Sequence, residues 1–222
     1  MNAEYLRPGR FVESEDALVV DYAEKVTGYR GSTPTPRESA VSLYYAVRDD
    51  FAYDPYDDFN QIEVFSGKRV LQGGRGFCIS KAALLAASCR AIGIPARLGF
   101  ADVRNHLASP RMIEMNNGDT FRWHSYTEIF LNDKWVKATP AFDLTLCERA
   151  GIQPLEFDGT QDSIFHEFDH SERRHMEYLT DHGVYADVPV DAVLDSFRRN
   201  CPKVFDKKFN GTASRFIDEV SS

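Results

Sequence analysis

The sequence predicts an α+β chain, with helices first and a small antiparallel sheet after them. Three observations carry that prediction. Apolar residues recur at helical spacing, with capping signals, between Ala17 and Ala91. Alternating runs joined by a tight turn occupy most of residues 96–139. The two kinds of segment are segregated along the chain, which favours α+β over alternating α/β.

A first amphipathic helix spans Ser14 to Val26, with Ser14 as candidate N-cap and Gly28 and Gly31 ending it. The second starts more sharply. Thr35 stands at the N-cap, Pro36 at the first helical position and Glu38 three residues after the cap, and the helix runs to about Asp50. Residues 54–63 read as an acidic loop and Val64 to Leu71 as a connector, partly helical. Gly73, Gly74 and Gly76 lead into a third helix, Cys78 to about Ala91, stopped by Gly93 and Pro95. Ala96 to Val103 reads as a strand and Asn105 to Asp119 as a loop with an Asn-Asn-Gly-Asp turn. Phe121 to Leu131 and Trp135 to Thr139 form a hairpin about Asn132-Asp133. Past Pro140 the pattern weakens. Residues 151–172 read as irregular, Ser171 to Asp181 as a short helix, and Val190 to Arg199 as a better one. Lys207 to Ser222 is polar and is ordered only if it docks. The expected organisation is a core over 1–143 with its N-terminal helices, and an extension over 144–222 packed on the same domain.

Composition narrows the function. The 222 residues are 43% hydrophobic and 13% aromatic, enough for a full core. A net charge of −8 argues against a nucleic-acid surface. No stretch approaches the roughly 20 apolar residues needed to span a bilayer, and Met1 to Arg10 lacks a signal-peptide core. The four cysteines form no close pair, so a reducing cytoplasm and free thiols are expected.

One of those thiols carries the chemistry. Cys78 opens a helix, where unpaired N–H groups and the helix dipole favour thiolate, the nucleophilic form. Glycines on the approach let a substrate backbone come close, and the Cys78 N–H would face an incoming carbonyl oxygen. His124, on the following strand, is the candidate base. The competing readings are a small buried hydrophobe for Cys78 and a hydrogen-bonded sheet residue for His124.

Gly76-Phe77-Cys78 followed by Arg90-Ala91-Ile92-Gly93-Ile94-Pro95-Ala96-Arg97 resembles the transglutaminase-like superfamily, in which "G-x-C" opens a helix ending in "R-x-x-G-I-P-A-R". His124-Ser125-Tyr126-Thr127-Glu128-Ile129, then Trp135, is similar to the family's "H-A-W-x-E-V…W". The resemblance covers roughly residues 40–143. It implies a papain-like α+β core, with Cys at a helix start packed on an antiparallel sheet bearing His, and a cysteine, histidine and acid triad acting on amides. The third member departs from the pattern. Thr139 stands where the family's "W-x-x-x-D-P-T" has Asp. A hydroxyl can orient an imidazole but supplies no negative charge. Asp143, four residues on, is the nearest acid.

These features imply a thiol hydrolase or acyltransferase acting on a peptide or amide through a Cys78 acyl-enzyme. The alternative is a catalytically impaired member that binds a peptide or protein partner. Arg90 reads as closing its helix, Arg97 as pairing with an acid, and Trp123 and Trp135 as packing residues. His166, His170 and His175 lack the spacing of a zinc helix, and the 54–58 acids lack that of a calcium loop. No cofactor, metal, nucleic acid or membrane partner is expected.

Overall fold

In the computed structural model, Cys78–Ala91 forms a helix with no solvent face, since every residue from Ile79 to Arg90 is buried. Small and aliphatic residues in Ala82-Ala83-Leu84-Leu85-Ala86-Ala87 allow neighbours to approach it from all directions. The structure describes residues 2–28, 34–106, 108–164, 176–209 and 215–220.

In chain order the helices are α1 (Ala17–Thr27), α2 (Pro36–Asp49), α3 (Gly67–Gly73), α4 (Cys78–Ala91), α5 (Pro110–Asn116), α6 (Leu144–Ala150) and α7 (Val190–Asn200). The strands are β1 (Ala52–Tyr53), β2 (Arg75–Gly76), β3 (Ala96–Asn105), β4 (Thr120–Leu131), β5 (Lys134–Ala138) and β6 (Met176–Tyr185). A four-stranded antiparallel sheet has the order β5-β4-β3-β6, and β1 pairs with β2 in parallel. Helices α1, α2 and α3 pack on α4, and β3 and β4 cover it as well. The α+β class and the helix-on-antiparallel-sheet arrangement are therefore as the sequence implied.

Local signals explain most boundaries. Thr35 and Glu38 make a reciprocal cap on α2, with Pro36 at its first position. Asn132 and Asp133 both adopt left-handed φ, 49° and 63°, as a two-residue turn twisted to match its strands requires. Asp16, rather than Ser14, caps α1 by accepting the Leu18 N–H at 3.0 Å, and Ser14 is buried. Gly28, at φ 64°, ends that helix.

Three segments depart from expectation. The 105–119 loop contains α5, capped by Ser109 with Pro110 at its first position. Asp143 caps α6 by accepting the Leu146 N–H at 2.9 Å. Within the expected helix of Ser171 to Asp181, residues 176–181 belong to β6 instead, since pairing along β3 overrides a weak local preference. Residues 171–175 of that segment, together with His166 and His170, lie outside the described residues.

Lys81 ties α4 to α2. It is fully buried, and its Nζ donates to the carbonyls of Arg48 at 2.9 Å and Phe51 at 2.7 Å. Burial pulls its ammonium down to about 7 against the opposing pull of the Asp143 and Asp49 carboxylates. Lys81→Met would leave both carbonyls without this donor. At about 1–3 kcal/mol per orphaned group, urea unfolding is expected to show a loss of about 2–5 kcal/mol. A loss below about 1 kcal/mol would mean that the carbonyls do not depend on Lys81.

Candidate active site

Cys78 is the first residue of α4, and Phe77 before it gives its N–H to Ser80 Oγ at 3.1 Å. Gly76 is required by packing, because a Cβ there would lie 2.7 Å from Ser80 Oγ and 2.8 Å from Val70. Helix α4 is fixed to β4 through the Thr127 hydroxyl, which donates to Ala82 O at 2.9 Å. The Ser125 N–H, on the same strand, hydrogen-bonds toward the Cys78 sulfur.

Cys78 and His124 line one pocket of about 60 Å³. That is several times the roughly 10–15 Å³ needed for one water, yet too tight for a peptide. Its walls are largely apolar. Tyr53, Phe121 and Phe142 contribute, as do Met112 of α5, Phe197 of α7 and Val204 beyond it. The later segments, which carry no motif for this role, thus complete the enclosure.

A distorted stretch of β4 precedes His124. Opposite Asp102, β4 carries two residues, Arg122 and Trp123, between the pairs Ala101–His124 and Val103–Phe121. Trp123 sits at φ 56°, a left-handed conformation that is strained for a bulky residue. The Asp102 carboxylate holds it there. Asp102 accepts the Trp123 N–H at 3.0 Å and Arg122 at 2.7 Å, and meets His182 Nε2 at 2.7 Å. The His182 ring stacks on Trp123, with centroids 4.3 Å apart and planes at 6°. Burial would raise the Asp102 carboxyl, but bonds from His182, Arg122 and the Trp123 N–H hold it below its ordinary value. Bulges of this kind re-aim side chains beside functional sites. Nothing local in the sequence signals this cluster, which is assembled by the pairing of β3 with β4 and β6.

The two candidate third residues have other surroundings. Thr139 is buried, and its Oγ1 has no hydrogen-bond partner among the described residues. Its backbone bonds to Ser163, and its carbonyl accepts from Tyr44. The Asp143 oxygens accept backbone N–H groups from Tyr53 at 2.8 Å and Leu146 at 2.9 Å. Asp143 therefore serves as a helix cap and a strap on β1.

Burial opposes the expected thiolate. Burial pushes the Cys78 thiol up to about 11, outweighing the N–H groups of Ser125, Ile79 and Cys78 itself. Burial also lowers His124 to about 4 from 6.5. Both groups rest neutral near pH 7. Cys78 as a residue is only partly enclosed, so this state depends on the pocket remaining closed.

Arg97 pairs with an acid as anticipated, whereas Arg90 binds carbonyls outside α4 instead of closing its end. Arg97 pairs with Glu128 at 2.6 Å and lies 4.1 Å from the Trp135 ring centroid. Arg90 clamps three carbonyls, those of Ala96, Arg7 and Ala186. Among the described residues no cluster of three or more His, Cys, Asp or Glu could hold a metal, and no helix is long and apolar enough to cross a membrane.

The His124 shift has a sign that can be checked. A depressed folded value means that the unfolded chain binds the proton first. Stability present above pH 6.5 is therefore lost as pH falls toward 4. Between pH 7 and 4.5 the parent should lose about 2–3 kcal/mol more in urea unfolding than His124→Asn. Equal losses would show that His124 is not buried as a neutral ring.

Comparison with known proteins agrees with this geometry. The model of the transglutaminase-like superfamily matches residues 21–140. The crystal structure of a "putative cysteine protease" from Cytophaga hutchinsonii superposes with a TM-score of 0.53 over 86% of this chain at 16% identity. That level of identity speaks for the fold alone, and the chain spans 49% of that protein's length. Among curated proteins, none matches. The match over more than half of the 222 residues, on a fold with a cysteine-led helix against an antiparallel sheet, places the chain in the transglutaminase-like superfamily.

Proposed function

We propose that the chain is a cysteine hydrolase or acyltransferase acting on peptide or amide substrates through a Cys78 acyl-enzyme. The observation that carries this reading is the shared pocket of Cys78 and His124, with the sulfur at a helix start. The Cys78 sulfur attacks the amide carbonyl carbon while His124 takes the thiol proton. As the C–N bond breaks, His124 returns that proton to the leaving amine. Water, or a second amine, then displaces the acyl group from sulfur, and the thiol is restored. The neutral resting pair suits this order, because the imidazole starts as a free base and the thiol starts protonated. Substrate entry requires the 60 Å³ pocket to widen.

We favour hydrolysis over crosslinking, since nothing in the sequence marks a site for a second amine. Four free thiols, three of them buried, suit a reducing compartment, and we propose a cytoplasmic location. Thr139 supports a second reading. A buried hydroxyl without a hydrogen-bond partner among the described residues, in place of the usual acid, suits an impaired member that binds a peptide.

A panel of peptide amides separates the two readings. An enzyme should lose turnover to background in Cys78→Ala. Thr139→Asp, by supplying the missing charge, should raise kcat by about tenfold or more. Turnover that survives Cys78→Ala would end the enzymatic reading. Activity detected only in Thr139→Asp would select the impaired one.

A further inference from the structure

Next to the Cys78 pocket is a second cavity of about 320 Å³, lined in part by Ser109, Leu146, Phe216 and Glu219. The two cavities share Asn105 and Phe142. The Phe142 ring packs edge-on against Tyr53, whose side chain also lines the Cys78 pocket, with centroids 4.8 Å apart.

One carboxylate is caught at this cavity by three donors. Tyr56 donates to Glu219 Oε2 at 2.6 Å, and Ser109 donates to the same oxygen at 2.8 Å. Arg111 donates to Oε1 at 2.9 Å, and its guanidinium lies 3.9 Å from the Tyr56 ring centroid. Tyr56 and Ser109 are buried, and Ser109 Oγ also accepts the Met112 N–H at 3.2 Å. Convergent hydroxyls and a stacked arginine make a carboxylate-recognition site.

The occupant is attached in the way a ligand is. Among the described residues, the backbone bonds of the 215–220 segment close within it, Asp218 N–H to Arg215 O and Glu219 N–H to Phe216 O. Side chains carry its docking. Phe216 is buried edge-on against Tyr53, with centroids 5.6 Å apart, and against Tyr56 at 6.1 Å. Glu219 supplies the carboxylate three residues later.

We infer that the surface beneath residues 215–220, a groove whose occupant walls this cavity rather than fills it, is a recognition site for acidic peptides, reading an aromatic residue followed three positions later by a glutamate, and that residues 215–220 are its resident occupant. Resting on the acyl-transfer reading above, the groove positions an acidic acyl donor beside Cys78 once the resident segment is displaced. The selectivity comes from Arg111, Tyr56 and Ser109 for the carboxylate, and from Tyr53 and Tyr56 for the ring.

The test uses the full chain carrying Phe216→Ala and Glu219→Gln, which frees the groove. The isosteric Glu219→Gln alone serves if the double variant does not fold. Fluorescein-labelled Arg-Phe-Ile-Asp-Glu-Val, the sequence of residues 215–220, is titrated by anisotropy. It should bind the freed groove at least about tenfold more tightly than the same peptide with Gln for Glu, and adding Arg111→Ala should remove that preference. The peptide should also slow iodoacetamide alkylation of Cys78 at pH 9. Equal binding of the two peptides, indifference to Arg111→Ala, or binding that leaves alkylation unchanged would each overturn the inference. Binding does not require turnover. The expected titration from a chain with no acyl transfer would remove the enzyme and keep the groove.

Discussion

The whole arrangement depends on enclosing α4 on every side. A helix buried from Ile79 to Arg90 cannot shift without disturbing packed neighbours throughout. Its first turns are pinned at three points by bonds already described, from Ser80, Lys81 and Thr127. The position of Cys78 against β4 follows from this enclosure. Cys78 lines the same pocket as His124, and the Ser125 N–H bonds toward its sulfur.

Enclosure also decides the resting chemistry. A helix N-terminus typically stabilises a negative charge by about 0.3–1 kcal/mol, and by about 2 in favourable cases. Raising a thiol from 9.0 to about 11 corresponds to roughly 2.7 kcal/mol against the thiolate. Desolvation therefore exceeds the dipole, and the pair is neutral. The same apolar walls come from α5, α7 and the chain near Val204, so access to the sulfur and its protonation state are governed by one set of contacts. The bulge held by Asp102 adds a different constraint, strain stored at Trp123 directly before the candidate base.

Legibility followed the range of the interactions. The α2 cap, the start of α4 at Cys78 and the Asn132-Asp133 turn depend on neighbours in sequence, and each was visible there. Helix α5 carries the same signal as α2, a hydroxyl residue followed by Pro, at Ser109-Pro110, but a polar turn signal nearby masked it. Asp143 is the nearest acid to the place where the family's Asp would stand. Its position before Leu144-Thr145-Leu146 is equally that of a helix cap, and its hydrogen bonds are those of a cap. Strand β6 had no local signal strong enough to announce it, because its pairing with β3 lies about eighty residues away in sequence. The opposition to a Cys78 thiolate is hidden from the sequence for the same reason. The dipole is local and readable, whereas the walls that outweigh it come from Phe142, Phe197 and Val204.

The account stands or falls on that neutral sulfur. Ultraviolet absorbance near 240 nm reports thiolate, and subtracting the titration of Cys78→Ser from that of the parent isolates Cys78. Cys89, Cys147 and Cys201, each raised by burial to about 12, cancel in the difference. The difference signal should be absent at pH 7 and rise with a midpoint near 11. A step below pH 7 would mean a preformed ion pair with His124 in an open, solvated cleft, contradicting the closed apolar centre.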